Sequence, residues 1–429
     1  MGRTAEEAVA FIDAQDVKWI RLAFCDLFGG QRQLIIQPGE LPRALGAGIR
    51  VDASVLPGFA GPDGDLVLRA DPSTLLMLPW QSAQGRAVRL LCDVLDGRGA
   101  HAPCDGRHIL RQAAEEAAAL GLTCNIGTEC EFYLFERDGR GDPTRIPHDR
   151  AGYCDIAPLD RGEDVRREIC LTLEQMGLRP ECSHHEQGPG QNEIDFHYAE
   201  ALTAADHLLV FQTVVRRIAQ ENGLFASFLP RPLPGKPGSG LHVHLSLSRD
   251  GHNIFRAAPD HSETAEHFIA GVLRRTAEIT AFLNPLTNSY ERLGEGDAPG
   301  RVGWSHHSRA GLVRIPAAQG ELRRMELRSP DPCANPYLAF ALLIRAGLEG
   351  IREGAPLPPP DGGRSAASEE LPRTLGEAVE RAAESPFVRA SLPEEARSAY
   401  LAAKRREWDA VRRAADRVQL EEELYFGRY

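Results

Sequence analysis

A chain of 429 residues, 42% of them hydrophobic, can bury a large core and divide into two or three domains, which excludes a disordered protein. A formal net charge of −12 excludes nucleic acid and anionic membrane surfaces as expected partners, so any cluster of arginines has to be read as a local anion site. The 9 cysteines include no C-x-x-C pair and read as reduced thiols in the core, with neither a disulfide framework nor a cysteine zinc site expected.

The start of the chain lacks a basic region leading into a long apolar stretch, so it reads as an amphipathic helix over Glu6–Ala14 rather than a signal peptide. β-rich runs follow at Lys18–Cys25, Gln33–Ile36, Leu66–Leu68 and Ala87–Val94, the pattern of a small α+β domain over residues 1–100. The polar stretch Asp96–Arg107 marks the boundary before a helix at His108–Leu120, with a larger domain over 104–429. There the expected elements are strands at Cys124–Phe135 and Leu241–Ser248, and helices at Asp164–Met176, Leu202–Asn222, Glu263–Leu283 and Asn335–Ile351. A Pro- and Gly-rich loop, Gly354–Ala367, precedes two closing helices, Leu375–Ala383 and Glu394–Ala415. The most apolar stretch, Tyr337–Ile344, is too short to span a bilayer; a soluble, cytoplasmic protein is expected.

Three segments carry candidate metal ligands. Glu129 and Glu131 sit two apart on a strand and share a face, either a solvated face or one needing a cation between them. Glu186 and Glu193 flank a glycine-rich bend, and His242 and His244 share one face of an otherwise apolar strand. Carboxylates with a minority of imidazole favour magnesium or manganese over zinc. A fourth concentration, Asn284–Pro336, holds Arg292, Arg309, Arg314, Arg324 and Arg328, side chains suited to bidentate contact with carboxylate or phosphate. Alternation over Arg324, Glu326 and Arg328 puts one carboxylate between two guanidiniums, or forms a surface ion ladder. Neither a P-loop nor a dinucleotide-binding turn is present, and nothing indicates a covalent acyl enzyme.

In this order the segments resemble the type I glutamine synthetases. The matches are the E-x-E strand, H-H-E followed by G-Q-N-E (His184–Glu186, Gly190–Glu193), G-S-G-x-H-x-H (Gly238–His244), N-P-x-x-N-S-Y-x-R (Asn284–Arg292), R-I-P and E-x-R-x-P-D-P-x-x-N-P-Y (Glu326–Tyr337). The resemblance implies an α+β fold, a small N-terminal β-grasp domain plus a large C-terminal catalytic domain, in a homo-oligomer, a dodecamer of two hexameric rings with active sites between subunits. It implies ligation of ammonia to the γ-carboxylate of L-glutamate with ATP and two or three Mg2+ or Mn2+ ions, through γ-glutamyl phosphate.

Carried over position by position, Glu131, Glu186 and Glu193 are similar to the ligands of one metal, and Glu129, His242 and Glu326 to those of the other. Arg292 resembles the arginine that grips the glutamate α-carboxylate, with Gly238 and Arg328 beside it. Arg309 resembles the arginine on the transferring phosphoryl group, Arg314 completes the phosphate clamp, and His244 and Ser246 match positions near the nucleotide. Asp52 matches an aspartate that a neighbouring subunit lends to the ammonium pocket, and Asp65 falls in a matching D-x-V-L context.

The pattern also departs from the family. The flap glutamate before Ala-Pro is replaced by Asp297 in a loop shortened by one residue, Pro237 stands for the usual Asn before G-S-G, and Ser308 for the Asn before the phosphoryl arginine. Gly350–Ala399 holds no tyrosine, so no control by tyrosine adenylylation is expected. The alternatives are a γ-glutamyl amine ligase using a small organic amine or polyamine, a two-metal phosphatase or amidohydrolase, and a non-catalytic metal-binding regulatory relative.

Overall fold

The computed structural model describes residues 2–59, 64–80, 85–256, 262–318, 320–360 and 368–429. Thr4 opens α1 (Ala5–Ala14) through a capping box, its hydroxyl accepting from the Glu7 amide while the Glu7 carboxylate accepts from the Thr4 amide. The chain then builds β1 (Val17–Cys25), β2 (Gln31–Ile36), α2 (Leu41–Leu45), β3 (Ile49–Asp52), β4 (Asp65–Ala70), β5 (Leu76–Met77) and β6 (Arg86–Asp96). These strands form one sheet in the order β2-β1-β6-β4-β3, with β5 on β6 and a parallel pair at β1–β6. Ile20, Leu22 and Phe24 of β1 alternate into the core on one face, so Arg21 and Ala23 occupy the other.

Asp105 caps α3 (Gly106–Ala118), and Arg107 in its first turn locks the two halves of the chain together. Its guanidinium lies 3.0 Å from Asp71 and 3.3 Å from Asp93 of the first half, and 2.9 Å from Asp206 of the second. Tyr337 donates to the same Asp206 at 2.6 Å. One buried cation balanced by three carboxylates suits a joint that is meant to stay closed.

The second sheet is built from β7 (Thr123–Arg137), β8 (Pro143–Pro147), β9 (Pro180–His185), β10 (Gln191–Phe196), β11 (Ala199–Glu200), β12 (Leu224–Ser227), β13 (Leu241–Arg249), β14 (His252–Asn253), β15 (Trp304–Ser305), β16 (Val313–Arg314) and β17 (Met325–Leu327). Its main path runs β15-β16-β17-β13-β7-β10-β9. Helices α4 (Glu163–Gln175), α5 (Ala201–Glu221), α6 (Glu263–Leu283), α7 (Pro336–Glu353), α8 (Leu375–Glu384), α9 (Pro386–Ser391), α10 (Glu394–Arg413) and α11 (Arg417–Glu421) complete the chain. Ile126, Cys130, Phe132 and Leu134 of β7 all enter a core shared with α5, α6 and α7, which covers one face of the sheet and leaves the other for polar side chains. Among the described residues no helix is long and apolar enough to cross a membrane.

The long elements, the two closing helices among them, lie where periodicity puts them, within one or two residues, while short strands and short helices escape it. Glu186–Glu193 reads as a bend in the sequence, but Glu193 lies within β10 and only Glu186–Gly190 turn. The closing region has α9 and α11 besides the two expected helices. Of the expected Gly354–Ala367 loop, residues 354–360 carry neither helix nor strand and 361–367 lie outside the described residues.

Candidate active site

Strand register alone brings most of the singled-out side chains onto the open face of the second sheet. Glu193 of β10 is directly opposite Glu131 of β7, His184 of β9 is opposite Glu193, His242 of β13 is opposite Glu129, and Glu326 of β17 is opposite both His244 and Arg314. Of these side chains, Glu129, Glu131, Glu193 and His242 floor a cavity of about 710 Å³ that His184 also lines, with Arg292, Arg309, Arg314 and Arg328 around them; His244 and Glu326 stand outside its lining.

On one side of the floor, charges are balanced. His242 Nδ1 lies 2.8 Å from a Glu129 oxygen, and His244 Nε2 approaches the other at 2.9 Å. Burial pushes the Glu129 carboxyl up, but the two imidazoles outweigh it and hold it well below the usual range. Glu326, fully buried, is held by Arg314 at 2.7 Å and by a short contact from Arg328. Alternation paired Glu326 with Arg324 and Arg328; the structure corrects this, because the strand is only Met325–Leu327 long and Arg324 donates instead to His244 Nδ1 at 2.5 Å. The second guanidinium comes from β16, which sequence spacing does not reveal.

Towards β10 the charges do not balance. Glu131 and Glu193 are buried face to face; burial raises both carboxyls, and for Glu193 the Glu131 charge adds to the rise. Glu131 accepts from Gln191 Nε2 at 2.8 Å and from the Gly240 amide at 3.0 Å. Donor atoms of Glu129, His242 and Glu326 come within 4.8 Å of one another, as do those of Glu131, Glu193 and His242, and those of His184, Glu186 and Glu193. Buried carboxylates opposed across a strand pair are stabilised by a hard divalent cation, so this donor set fits magnesium or manganese. His242 therefore belongs to two groups, and Glu186 meets Glu193 through His184 rather than through Glu131.

Arg292 is buried and spends three N–H groups on backbone carbonyls, of Ser329 (2.8 Å), Pro330 (3.2 Å) and Arg328 (3.0 Å). Glycine is needed at 238 and 240 to admit it: a Cβ on Gly240 would stand 2.6 Å from its Nη2, and one on Gly238 2.9 Å from its Cγ. Arg309 is exposed at the rim, its carbonyl accepting from Arg328 Nε at 2.7 Å. Asp297 is exposed on the 294–299 turn, where Gln187 reaches it at 3.4 Å. His244 and Ser246 continue the row of His242 along β13 but lie outside the cavity lining, and Asp52, exposed at the end of β3 and capped by the Ser54 amide at 2.8 Å, lies outside it too.

Sequence reasoning overlooked the support beneath the 186–190 turn. Asp149 accepts from His185 Nε2 at 2.8 Å and from the Gly190 amide at 3.0 Å, which fixes both walls of the turn between Glu186 and Glu193. The H-H-E triplet held the signal for His185, whereas Asp149, 36 residues upstream of it, had none.

The family model described as glutamine synthetase, catalytic domain, matches residues 103–423, and that described as glutamine synthetase, beta-Grasp domain, matches 16–97. The chain belongs to the glutamine synthetase family. It is 42% identical to the glutamine synthetase of Clostridium saccharobutylicum, with 99% of each chain covered, and 42% identical to that of Methanosarcina mazei, with 95% of this chain and 94% of the relative covered. The glutamine synthetase of Thermus thermophilus is 41% identical over 99% of both chains. Among solved structures, one of GmaS in complex with ADP superposes with a TM-score of 0.87 at 29% identity, covering 98% of this chain and 99% of that one. The protein is thus a ligase of the glutamate–ammonia type, and the family's use of ATP and divalent metal agrees with the carboxylates and arginines around the cavity.

Proposed function

We propose that this enzyme joins ammonia to the γ-carboxylate of L-glutamate, with ATP as phosphoryl donor and γ-glutamyl phosphate as intermediate. The observation that carries the reading is one cavity combining opposed buried carboxylates on its floor with four arginines on its rim, in a chain 42% identical to glutamine synthetases over its length. Glu131, Glu186 and Glu193 would hold one divalent ion and Glu129, His242 and Glu326 the other, Mg2+ or Mn2+. Those ions neutralise the phosphate oxygens and polarise the transferring group when bound.

The remaining steps belong to the chain's own residues. Arg292, rigid on its three carbonyls, presents its remaining edge to the glutamate α-carboxylate, with Gly238 and Arg328 beside it. Arg309 and Arg314 offset charge on the γ-phosphoryl oxygens as they leave ADP, a contribution of about 10²–10³ in rate for a well-placed donor. His244 and Ser246 lie towards the nucleotide. Asp52 of a neighbouring subunit binds ammonium and takes its proton, so that the nitrogen lone pair attacks the acyl phosphate, and Asp297 closes over that intermediate to exclude water. A dodecamer of two rings supplies that neighbour. These assignments rest on motif position and on the side-chain geometry described above.

A second acceptor, a small organic amine, is favoured by one observation: Asp297 is a methylene shorter than the glutamate expected there and lies exposed on a shortened turn. Phosphate release with ATP, magnesium and glutamate tests both readings against ammonium, methylamine, ethanolamine, putrescine and spermidine. Saturable turnover with ammonium at the lowest KM is expected. Turnover only with an organic amine would replace ammonia by that amine, and amine-independent phosphate release would overturn the ligase mechanism.

A further inference from the structure

Two loops that line the catalytic cavity differ in stiffness and in charge. In the first, residues 233–238, Lys236 precedes Pro237. Proline fixes its own φ and disfavours helical backbone in the residue before it, so the backbone carrying the Lys236 side chain has little freedom. The loop is also pinned. The Lys236 amide donates to the Leu233 carbonyl at 3.2 Å, the Tyr133 hydroxyl to the Pro237 carbonyl at 2.6 Å and Gln191 Nε2 to the Gly238 carbonyl at 3.1 Å. Lys236 itself is exposed, and among the described residues its ammonium has neither an acceptor nor an ion-pair partner.

The second loop is the 294–299 turn. Gly294 and Gly296 take φ values of 81° and 58°, and a Cβ on Gly300 would stand 2.9 Å from the Gly294 Cα, so the neck of the turn is a close approach of two glycines. Its head carries Glu295 and Asp297, both exposed and both lining the cavity, with only the neutral Gln187 reaching Asp297. The two loops meet on Arg292. Gly238 packs against the Arg292 side chain, and the Glu295 amide donates to the Arg292 carbonyl at 3.1 Å. Arg231 also lines the cavity, but its guanidinium is committed to the Glu291 carbonyl.

Two free carboxylates at the mouth of an amine-using site attract an acceptor in proportion to its positive charge, so a diamine or polyamine is drawn most strongly. A fixed ammonium beside them acts in the opposite direction and repels the same multiply charged amines most. We propose that Lys236 is a specificity-determining residue that keeps multiply charged amines out of the acceptor site and limits the acceptor to ammonia or a small amine of single charge. This rests on the ligase reading above and names the acceptor class within it. Asp297 supplies the attraction and Lys236 the discrimination.

The test is phosphate release by the full-length enzyme with ATP, magnesium and glutamate, comparing ammonium, methylamine and putrescine at low and at high salt. Lys236→Ala is expected to raise kcat/KM for putrescine relative to ammonium by about tenfold, Lys236→Glu to raise it further and Lys236→Arg to keep the wild-type ratio, with the differences shrinking in high salt, where exposed charges are screened. Methylamine, organic but singly charged, should gain little. An unmoved putrescine ratio in Lys236→Ala would overturn the proposal. So would an equal gain for methylamine, which would mean space rather than charge, or a higher KM for glutamate with the ratio intact, which would mean that the ammonium serves the donor acid. Calorimetric titration of spermidine into the protein without ATP reads Lys236 independently of turnover: Lys236→Ala should bind it about tenfold more tightly than wild type, and adding Asp297→Asn should remove that gain. If no amine supports turnover the ligase reading fails, and the titration alone decides the role of Lys236.

Discussion

Asp206 and Glu193 are both buried carboxylates, yet they stand in opposite electrostatic positions. Asp206 faces Arg107 and accepts from Tyr337, so its charge is met within the chain. Glu193 faces Glu131 across a strand pair, and the chain sets against these two like charges only the His184 imidazole, whose Nε2 lies 3.6 Å from Glu193. A buried charge paired inside the fold holds architecture together, whereas buried charges of one sign facing each other across a sheet mark a place for a ligand.

The sharpest way to break that comparison is to remove one carboxylate from each place. Asp206→Ala leaves the buried Arg107 guanidinium with Asp71 and Asp93 only and the buried Tyr337 hydroxyl without its acceptor, and should cost about 3–5 kcal/mol of stability, measured by urea unfolding. Glu193→Gln should lower turnover by about 10²–10³. In chelator, the same change should raise stability by about 1–2 kcal/mol, because it removes one of two opposed charges. If both substitutions destabilise the metal-free protein alike, the distinction fails.

The pH dependence of the turn beneath the site sharpens the contrast further. Burial alone would raise Asp149, but hydrogen bonds from His185, Arg161 and Gly190 pull its carboxyl down to about 2. A depressed folded pKa adds stability that is complete above the unfolded value of about 3.9 and is lost as pH falls through about 2. Asp149→Asn should therefore lose about 1–2 kcal/mol at neutral pH and show a flatter acid limb in pH-dependent unfolding. The smallest effect is expected at the rim: Asp297→Glu should shift kcat/KM for ammonium relative to methylamine by about tenfold in favour of ammonium, read from the phosphate-release assay. An unchanged ratio would remove Asp297 as the specificity element.

How much of this was legible beforehand depends on the distance over which each signal acts. Periodicity sustained over eight or more residues located β7, β13, α5, α6 and α7, because an apolar stripe repeats often enough to be read. Two-residue strands such as β16 carry no such repeat, so Arg314 was singled out but its partnership with Glu326 was not. Lys236 looks like an ordinary charged residue until the fold brings it to the same cavity as Asp297.

The sequence by itself determined which family supplies the fold and which side chains were candidates for its site, because residue type and spacing within a strand are local properties. Tertiary structure alone decided which charges oppose and which neutralise one another. That depends on register between strands distant in sequence, and a shift of one residue in register would turn every one of those side chains to the other face.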